Sequence, residues 1–202
     1  YIDDKNVKEY IKTLANKYNT VGKEREFTTS LGNKIKVAGG SYGNKIDEDF
    51  EGVLLIEAIK NGKNISKEPE YLQKAASTGK NDIGNTYVEI DLSRQHLWFY
   101  KAGKLIAEGD IVSGNLNNDW ATPAGTYSLV YKQKDTVLKG EGYASPVDFW
   151  MPFNGGIGIH DASWRYTFGG SIYVSNGSHG CINAPHSLAN AIYNNIESGT
   201  PI

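Results

Sequence analysis

Gly177-Ser178-His179-Gly180-Cys181-Ile182-Asn183 holds the only cysteine of this 202-residue chain. A lone thiol forms no internal disulfide, which leaves a small buried hydrophobe, a metal ligand or a nucleophile. His160, in Gly156-Ile-Gly-Ile-His160-Asp161, lies 21 positions upstream of Cys181. A thiol turns nucleophilic as the thiolate and needs a base or a cation beside it. Two histidines so near in sequence favour the nucleophile.

If residues 179–181 are extended, His179 and Cys181 point to the same side with Gly180 open between them. At roughly 6–7 Å between Cβ atoms, that spacing is awkward for direct proton transfer. His160 comes from a separate strand and can face the thiol, so it is expected as the base, with His179 as pocket wall or substrate contact. Pro185 suits the first position of a helix over 185–197, ending at Gly199. Its N-terminal amides, so close behind Cys181, would favour an anion. With the Gly180 and Cys181 amides they are the natural donors to a tetrahedral oxyanion, and Gly180 admits a carbonyl close to the backbone.

Plainer readings stand beside these. A lone buried cysteine without histidines is ordinarily core. Zinc held by Cys181 with His160, His179 or His186 matches no familiar ligand spacing. His186 falls in the first turn of the expected helix as an exposed polar residue, and His96 sits in an alternating strand. Trp164, Tyr166 and Tyr173 are either core aromatics or the wall of a groove. Ser178 is a turn residue, or its hydroxyl or carbonyl orients the His160 imidazole.

Upstream, the chain divides by composition. Residues 1–80 carry 14 Lys+Arg against 12 Asp+Glu, residues 81–202 carry 7 against 11, and all four tryptophans fall in the second part. Val7, Tyr10, Ile11, Leu14, Ala15 and Tyr18 recur at helical spacing behind Asp3 or Asp4 as cap. Residues 26–37 read as a hairpin, and Asp47 caps a second helix that stops near Gly62. The expectation is a small α+β domain over 1–77, a polar linker over 78–85, and a mainly-β domain over 86–202. Strands are expected at 87–92, 96–100, 104–107 continuing at 110–112, 126–131, 149–153, 156–160 and 171–174. They would form a mixed-sheet sandwich or barrel with one helix directly after the cysteine.

Net charge of −2 argues against a nucleic-acid partner. No apolar run approaches the ~18 residues of a membrane span. The chain starts at Tyr1, so it is expected to be part of a longer protein, with any anchor upstream.

His160 followed by Ser178-His179-Gly180-Cys181-Ile182-Asn183 resembles the signature of the L,D-transpeptidases with a YkuD-type catalytic domain. Thr122-Pro-Ala-Gly125, with Gly114 before it, is similar to a second segment of that family. The likeness covers about Thr86 to Ile202. Residues 1–77, with Tyr42-Gly-Asn-Lys-Ile-Asp47, resemble the peptidoglycan-binding domain found before such catalytic domains in Gram-positive bacteria. The resemblance implies an extracytoplasmic, cell-wall enzyme without cofactor or metal. Cys181 would attack the bond between the third residue and D-Ala of a tetrapeptide stem, release D-Ala, and pass the acyl group to an amine on a second stem. It implies carbapenems as covalent inhibitors, with β-lactam bypass as the consequence. It also implies Ser178 beside His160, His179 and Gly180 in the pocket, Asn183 supporting the loop, Trp164 as substrate wall, and a hairpin lid around 127–150. Two other classes remain open on the residues: a cysteine hydrolase that trims D-Ala, and a wall-binding module with an inert thiol.

Overall fold

The computed structural model describes residues 3–79, 81–140 and 142–202; Lys80 of the expected linker and Glu141 of the expected lid lie outside the described residues. Helix α1 (Asp4–Tyr18) is capped by Asp3, whose carboxylate accepts from Lys5 N, and it buries Val7, Ile11 and Ala15. That spacing of four residues puts all three on one face. The hairpin follows as β1 (Arg25–Thr28) and β2 (Lys34–Val37). Asp47 caps α2 (Glu48–Lys60) by accepting from Phe50 N. Short strands β3 (Lys45–Ile46) and β4 (Tyr71–Gln73) bracket that helix, which packs on α1.

The remainder is built on two sheets. Strands β5 (Tyr87–Asp91), β6 (His96–Lys101) and β7 (Lys104–Asp110) form an antiparallel meander. The second sheet runs β11-β10-β9-β8, from β8 (Gln133–Gly140), β9 (Tyr143–Asn154), β10 (Ile157–Asp161) and β11 (Ile182–Ala184). Only β10 and β11 pair in parallel there. Helix α4 (His186–Asn195) lies against β7 of one sheet and β9 and β10 of the other. Leu97, Phe99, Ile111, Met151, Ile159, Ile182 and Ile192 fill the space between them. This is a mixed-sheet, mainly-β architecture preceded by a helical α+β region.

Four details differ from the sequence reading. Residues 171–174, expected as a strand, belong to the short helix α3 (Ile172–Asn176). The β-branched character of Ile172 and Val174 suggests a strand, but no strand lies beside them. The carbonyls of Tyr173 and Val174 instead accept from Leu116 N and Asn117 N (3.1 and 3.0 Å), and tertiary contacts override a weak propensity. Residues 126–131 form no named strand: they meet the terminal segment through the bridge Ser128–Pro201, while Val130 N donates to Pro152 O and Thr126 O accepts from Tyr42 N. Strand 149–153 is the end of the much longer β9, whose partner β8 is absent from the strands read off the residues, although the two form a hairpin in the region where the family resemblance implies one. Finally, Pro185 is the N-cap of α4, and β11 intervenes between Cys181 and the helix, which ends at Asn195.

The presumed linker is not slack. Asp82 is 1% exposed and takes Nε and Nη2 of Arg25 at 2.6 and 2.7 Å. Tyr42 Oη donates to Asp82 O, and Ser30 N and Oγ both donate to the Glu89 carboxylate. These bonds seat the first region on the second.

Candidate active site

Strand register decides what meets Cys181. In the parallel β10–β11 pair, His160 stands opposite Asn183 and Ile159 opposite Ile182. Side chains alternate, so Ile159 and Ile182 point into the core while His160 and Asn183 share the other face. Cys181 lies in the bend directly before β11, two residues ahead of Asn183, and strand alternation carried back to it would bring its side chain to that same face, diagonally across from His160. Trp150 of β9 is paired with His160 and joins this face from the other side.

His160 is 4% exposed. Its Nδ1 meets the Asp161 carbonyl at 2.8 Å, and in the tautomer that donates there Nε2 is the free, basic nitrogen. The ring lies between Trp150 and Trp164, with centroids 6.0 and 5.9 Å away. Burial pushes the imidazole pKa down, opposed by the Asp161 carbonyl and carboxylate, while the nearby charge of Arg165 lowers it further. Burial likewise pushes the Cys181 thiol up, with the Gly158 amide opposing it. Sγ lies 3.6 Å from Gly156 O. Both shifts favour the neutral forms.

The loop before the thiol is tightly bonded. Ser178 Oγ donates to Cys181 O at 2.5 Å and accepts from Gly180 N at 3.0 Å. Its backbone is fixed between Ser113 O and Asn115 N, both at 2.9 Å. Thr122 Oγ1 donates to Gly180 O at 2.7 Å and accepts from Gly114 N at 3.0 Å, which joins the Thr122–Gly125 segment and Gly114 to the cysteine loop. Gly180 has φ +116°, a conformation that strains any L side chain, and this backbone is what calls for glycine; a Cβ there would come close only to the Ile157 side chain, at 3.3 Å.

Several expectations change at this level. The Ser178 hydroxyl shapes the loop; the imidazole is held by the carbonyl of Asp161. The Gly180 amide is turned onto Ser178 and so is not free for an oxyanion. The α4 N-terminus lies four residues beyond Cys181 along extended chain, about 13 Å at 3.3 Å per residue, too far for its end charge to act on the thiol. His179 is exposed, stacked on Tyr143 (4.7 Å, 20° between planes) and against Trp120 (4.1 Å). Trp164 does reach the site, through its contact with His160. Tyr166, 97% exposed, touches none of it. Asn183 is buried, and its Oδ1 has no partner among the described residues. His186 is exposed and meets Asp148 at 2.8 Å, with the Asp161 carboxylate within 4.8 Å of both; Cys181 is not in that cluster. His96 meets Asp110 at 2.6 Å.

Asp161 is the residue that sequence reading missed. It is 2% exposed, and its Oδ1 accepts from Asp148 N and Phe149 N at 2.9 and 2.8 Å, which fixes the carbonyl that holds His160. The available signal was an acid directly after His160 at the end of an otherwise apolar Ile-Gly-Ile strand.

Comparisons with known proteins identify the family. The chain belongs to the YkuD family: its model, an L,D-transpeptidase catalytic domain, matches residues 85–202. A second family model, described as "Putative peptidoglycan binding domain", matches residues 1–66. The crystal structure of an Enterococcus faecium L,D-transpeptidase mutant superposes with a TM-score of 0.85 at 37% identity, covering 99% of this chain and 81% of that one. The E. faecium catalytic domain acylated by ertapenem is 45% identical over 59% of this chain and 95% of its own, with a TM-score of 0.54. A curated relative, "Probable L,D-transpeptidase 3" of Mycobacterium tuberculosis, is 26% identical over 95 residues, 42% of this chain. The match spans about a third (34%) of that relative's length. No helix among the described residues is long and apolar enough to cross a membrane.

Proposed function

We propose that this protein is a peptidoglycan L,D-transpeptidase in which Cys181 is the nucleophile and His160 the general base and acid. The observation that carries the reading is the β10–β11 register, which sets His160 opposite Asn183, two residues from Cys181, with Nδ1 of the imidazole already occupied by Asp161 O. Since burial favours the neutral form of both groups, the proton passes from Sγ to Nε2 as the sulfur attacks. The attacked carbonyl belongs to the third residue of a tetrapeptide stem. The C–N bond to D-Ala breaks, His160 returns the proton to the leaving amine, and a thioester remains on Cys181. An amine of a second stem then attacks the thioester, His160 takes its proton, and the thiol is restored as a cross-link between third residues forms.

In this reading residues 1–77 are a wall-binding domain, 78–85 the connection and 86–202 the catalytic domain, and the protein works at the cell wall of a Gram-positive bacterium. Ertapenem acylates the E. faecium relative; a carbapenem would acylate Cys181 by opening its strained lactam carbonyl, and β-lactam bypass follows from using tetrapeptide donors. The test is mass spectrometry of products from purified disaccharide-tetrapeptide. Released D-Ala with a dimer linked through two third residues is expected. Free D-Ala with only a tripeptide stem would make the protein a carboxypeptidase.

A further inference from the structure

Two arginines of this chain are pinned at one end, and only one has its fork filled. Arg25 closes Nε and Nη2 on the two oxygens of Asp82 and uses Nη1 for the Lys23 carbonyl. Arg165 sits five residues beyond His160, in the loop that also carries Trp164. Its Nη1 donates to Asn176 O at the end of α3, 2.8 Å away, and its backbone N donates to Ala162 O. Its Nε is buried and has no hydrogen-bond partner, and its Nη2 has none either, among the described residues. No carboxylate among them lies within 4.0 Å of it.

A buried, unpaired donor is costly to retain, and the Nε/Nη2 edge is the one whose geometry matches a carboxylate. Trp164, the chain neighbour of Arg165, has its ring 5.9 Å from that of His160, and the Arg165 charge acts on the imidazole, so the guanidinium belongs to the surroundings of the proposed base. The donor peptide carries the matching group. In a stem ending at the leaving residue, the amine that His160 would protonate and the free carboxylate share one Cα.

We propose that Arg165 is a substrate-binding residue that grips the terminal carboxylate of the donor peptide through Nε and Nη2. This rests on the transpeptidase reading above and adds the feature that selects the donor. A stem longer by one residue carries its carboxylate about 3.5 Å further out and cannot fill the fork while its third carbonyl is at Cys181.

The experiment compares the full chain with Arg165→Gln. Cys181 is alkylated with iodoacetate, which carries a carboxylate, and with neutral iodoacetamide; the iodoacetate-to-iodoacetamide rate ratio should fall about tenfold or more in the variant, as for loss of a charged hydrogen bond. In parallel, disaccharide-tetrapeptide is compared with its C-terminal carboxamide. The wild type should prefer the free acid by roughly ten- to a hundredfold in kcat/KM, and the variant should lose that preference. Arg165→Lys keeps the charge and a donor for Asn176 O, so it serves if the glutamine variant does not fold; it should lose part of the preference. If the variants slow both reagents equally and still prefer the free acid, Arg165 only clasps α3 and the proposal is overturned. If the wild type releases nothing from either peptide, the transpeptidase reading fails, while the alkylation ratio still decides whether Arg165 draws a carboxylate to the thiol.

Discussion

Arg25 and Asp82 form a buried bidentate ion pair that ties β1 to the segment between the two halves of the chain, with Nε–Oδ1 at 2.6 Å and Nη2–Oδ2 at 2.7 Å. The Arg25 Nη2 also reaches Thr20 O and Tyr42 O and Nη1 donates to Lys23 O, so each of the three guanidinium nitrogens has a partner. Burial alone would push the Asp82 carboxyl up; the hydrogen bonds from Arg25 and Thr20 and the Arg25 charge outweigh it, and the pKa lies below the ordinary value.

Removing one partner of such a pair leaves an uncompensated buried charge. Asp82→Ala should therefore lose about 3–5 kcal/mol in urea unfolding, and an Arg25→Leu/Asp82→Leu double variant should lose less than Asp82→Ala alone. The sign with pH follows from the lowered pKa. The contribution is complete above the unfolded carboxylate value of about 3.9 and is lost as pH falls through the folded one. Asp82→Ala should accordingly show a flatter acid limb than the wild type. A double variant as damaged as the single one would sink this account.

Thiol reactivity should follow the two buried neutral groups. With Cys181 raised and His160 lowered, the iodoacetamide rate should climb across about pH 5 to 8 without the acid-side plateau of a preformed thiolate–imidazolium pair. His160→Ala should cost ~10²–10⁴ in turnover, and Cys181→Ala should abolish it with the fold intact. A flat rate between those pH values would mean that the ion pair exists at rest.

What the sequence disclosed and what it hid follow a physical pattern. Local signals were readable: the Asp3 and Asp47 caps, the 26–37 hairpin and the 87–107 meander all depend on neighbours a few residues apart. Strand β8 was hidden because Lys134, Asp135 and Lys139 mask any alternation; its order comes from pairing with β9. Helix α3 looked like a strand because only the distant 116–117 amides decide otherwise. The thiol and imidazole could be named from residue type and spacing. Asp161 could have been noticed as an acid closing an apolar strand, but its bond to His160 and those of Ser178 could not, because a backbone carbonyl acting on an imidazole and a hydroxyl folded back on its own loop leave no mark in residue identity.

The hairpin tip offers a test of the ring stack over the cysteine loop. A Cβ on Gly140 would fall 2.2 Å from Tyr143 Cε1, so Gly140→Ala must push that ring aside. Tyr143 would then leave His179, which loses one of its two aromatic neighbours. Such a pair contributes about 0.5–1.5 kcal/mol, so the melting temperature should drop only modestly. Emission from Trp120, which stacks on His179, should shift. An unchanged spectrum together with an unchanged alkylation rate would show that the stack does not shield the loop.

Thr122 gives the sharpest test of how the loop is held. Its hydroxyl is the sole link between Gly114 N and Gly180 O in the observed bonding, and both it and Gly180 are buried. Thr122→Val preserves shape but strands a donor and an acceptor away from water, at about 1–3 kcal/mol each. Gly180, released from Thr122, precedes the nucleophile directly, so alkylation of Cys181 should change along with stability. Thr122→Ser keeps the hydroxyl and should stay within about 1 kcal/mol of wild type, the cost of one lost methyl. Urea unfolding and iodoacetamide kinetics on the three proteins separate the contributions: the valine variant should lose both stability and normal thiol reactivity, the serine variant neither. If valine and serine behave alike, the hydroxyl does not hold the loop, and Thr122 acts through packing alone.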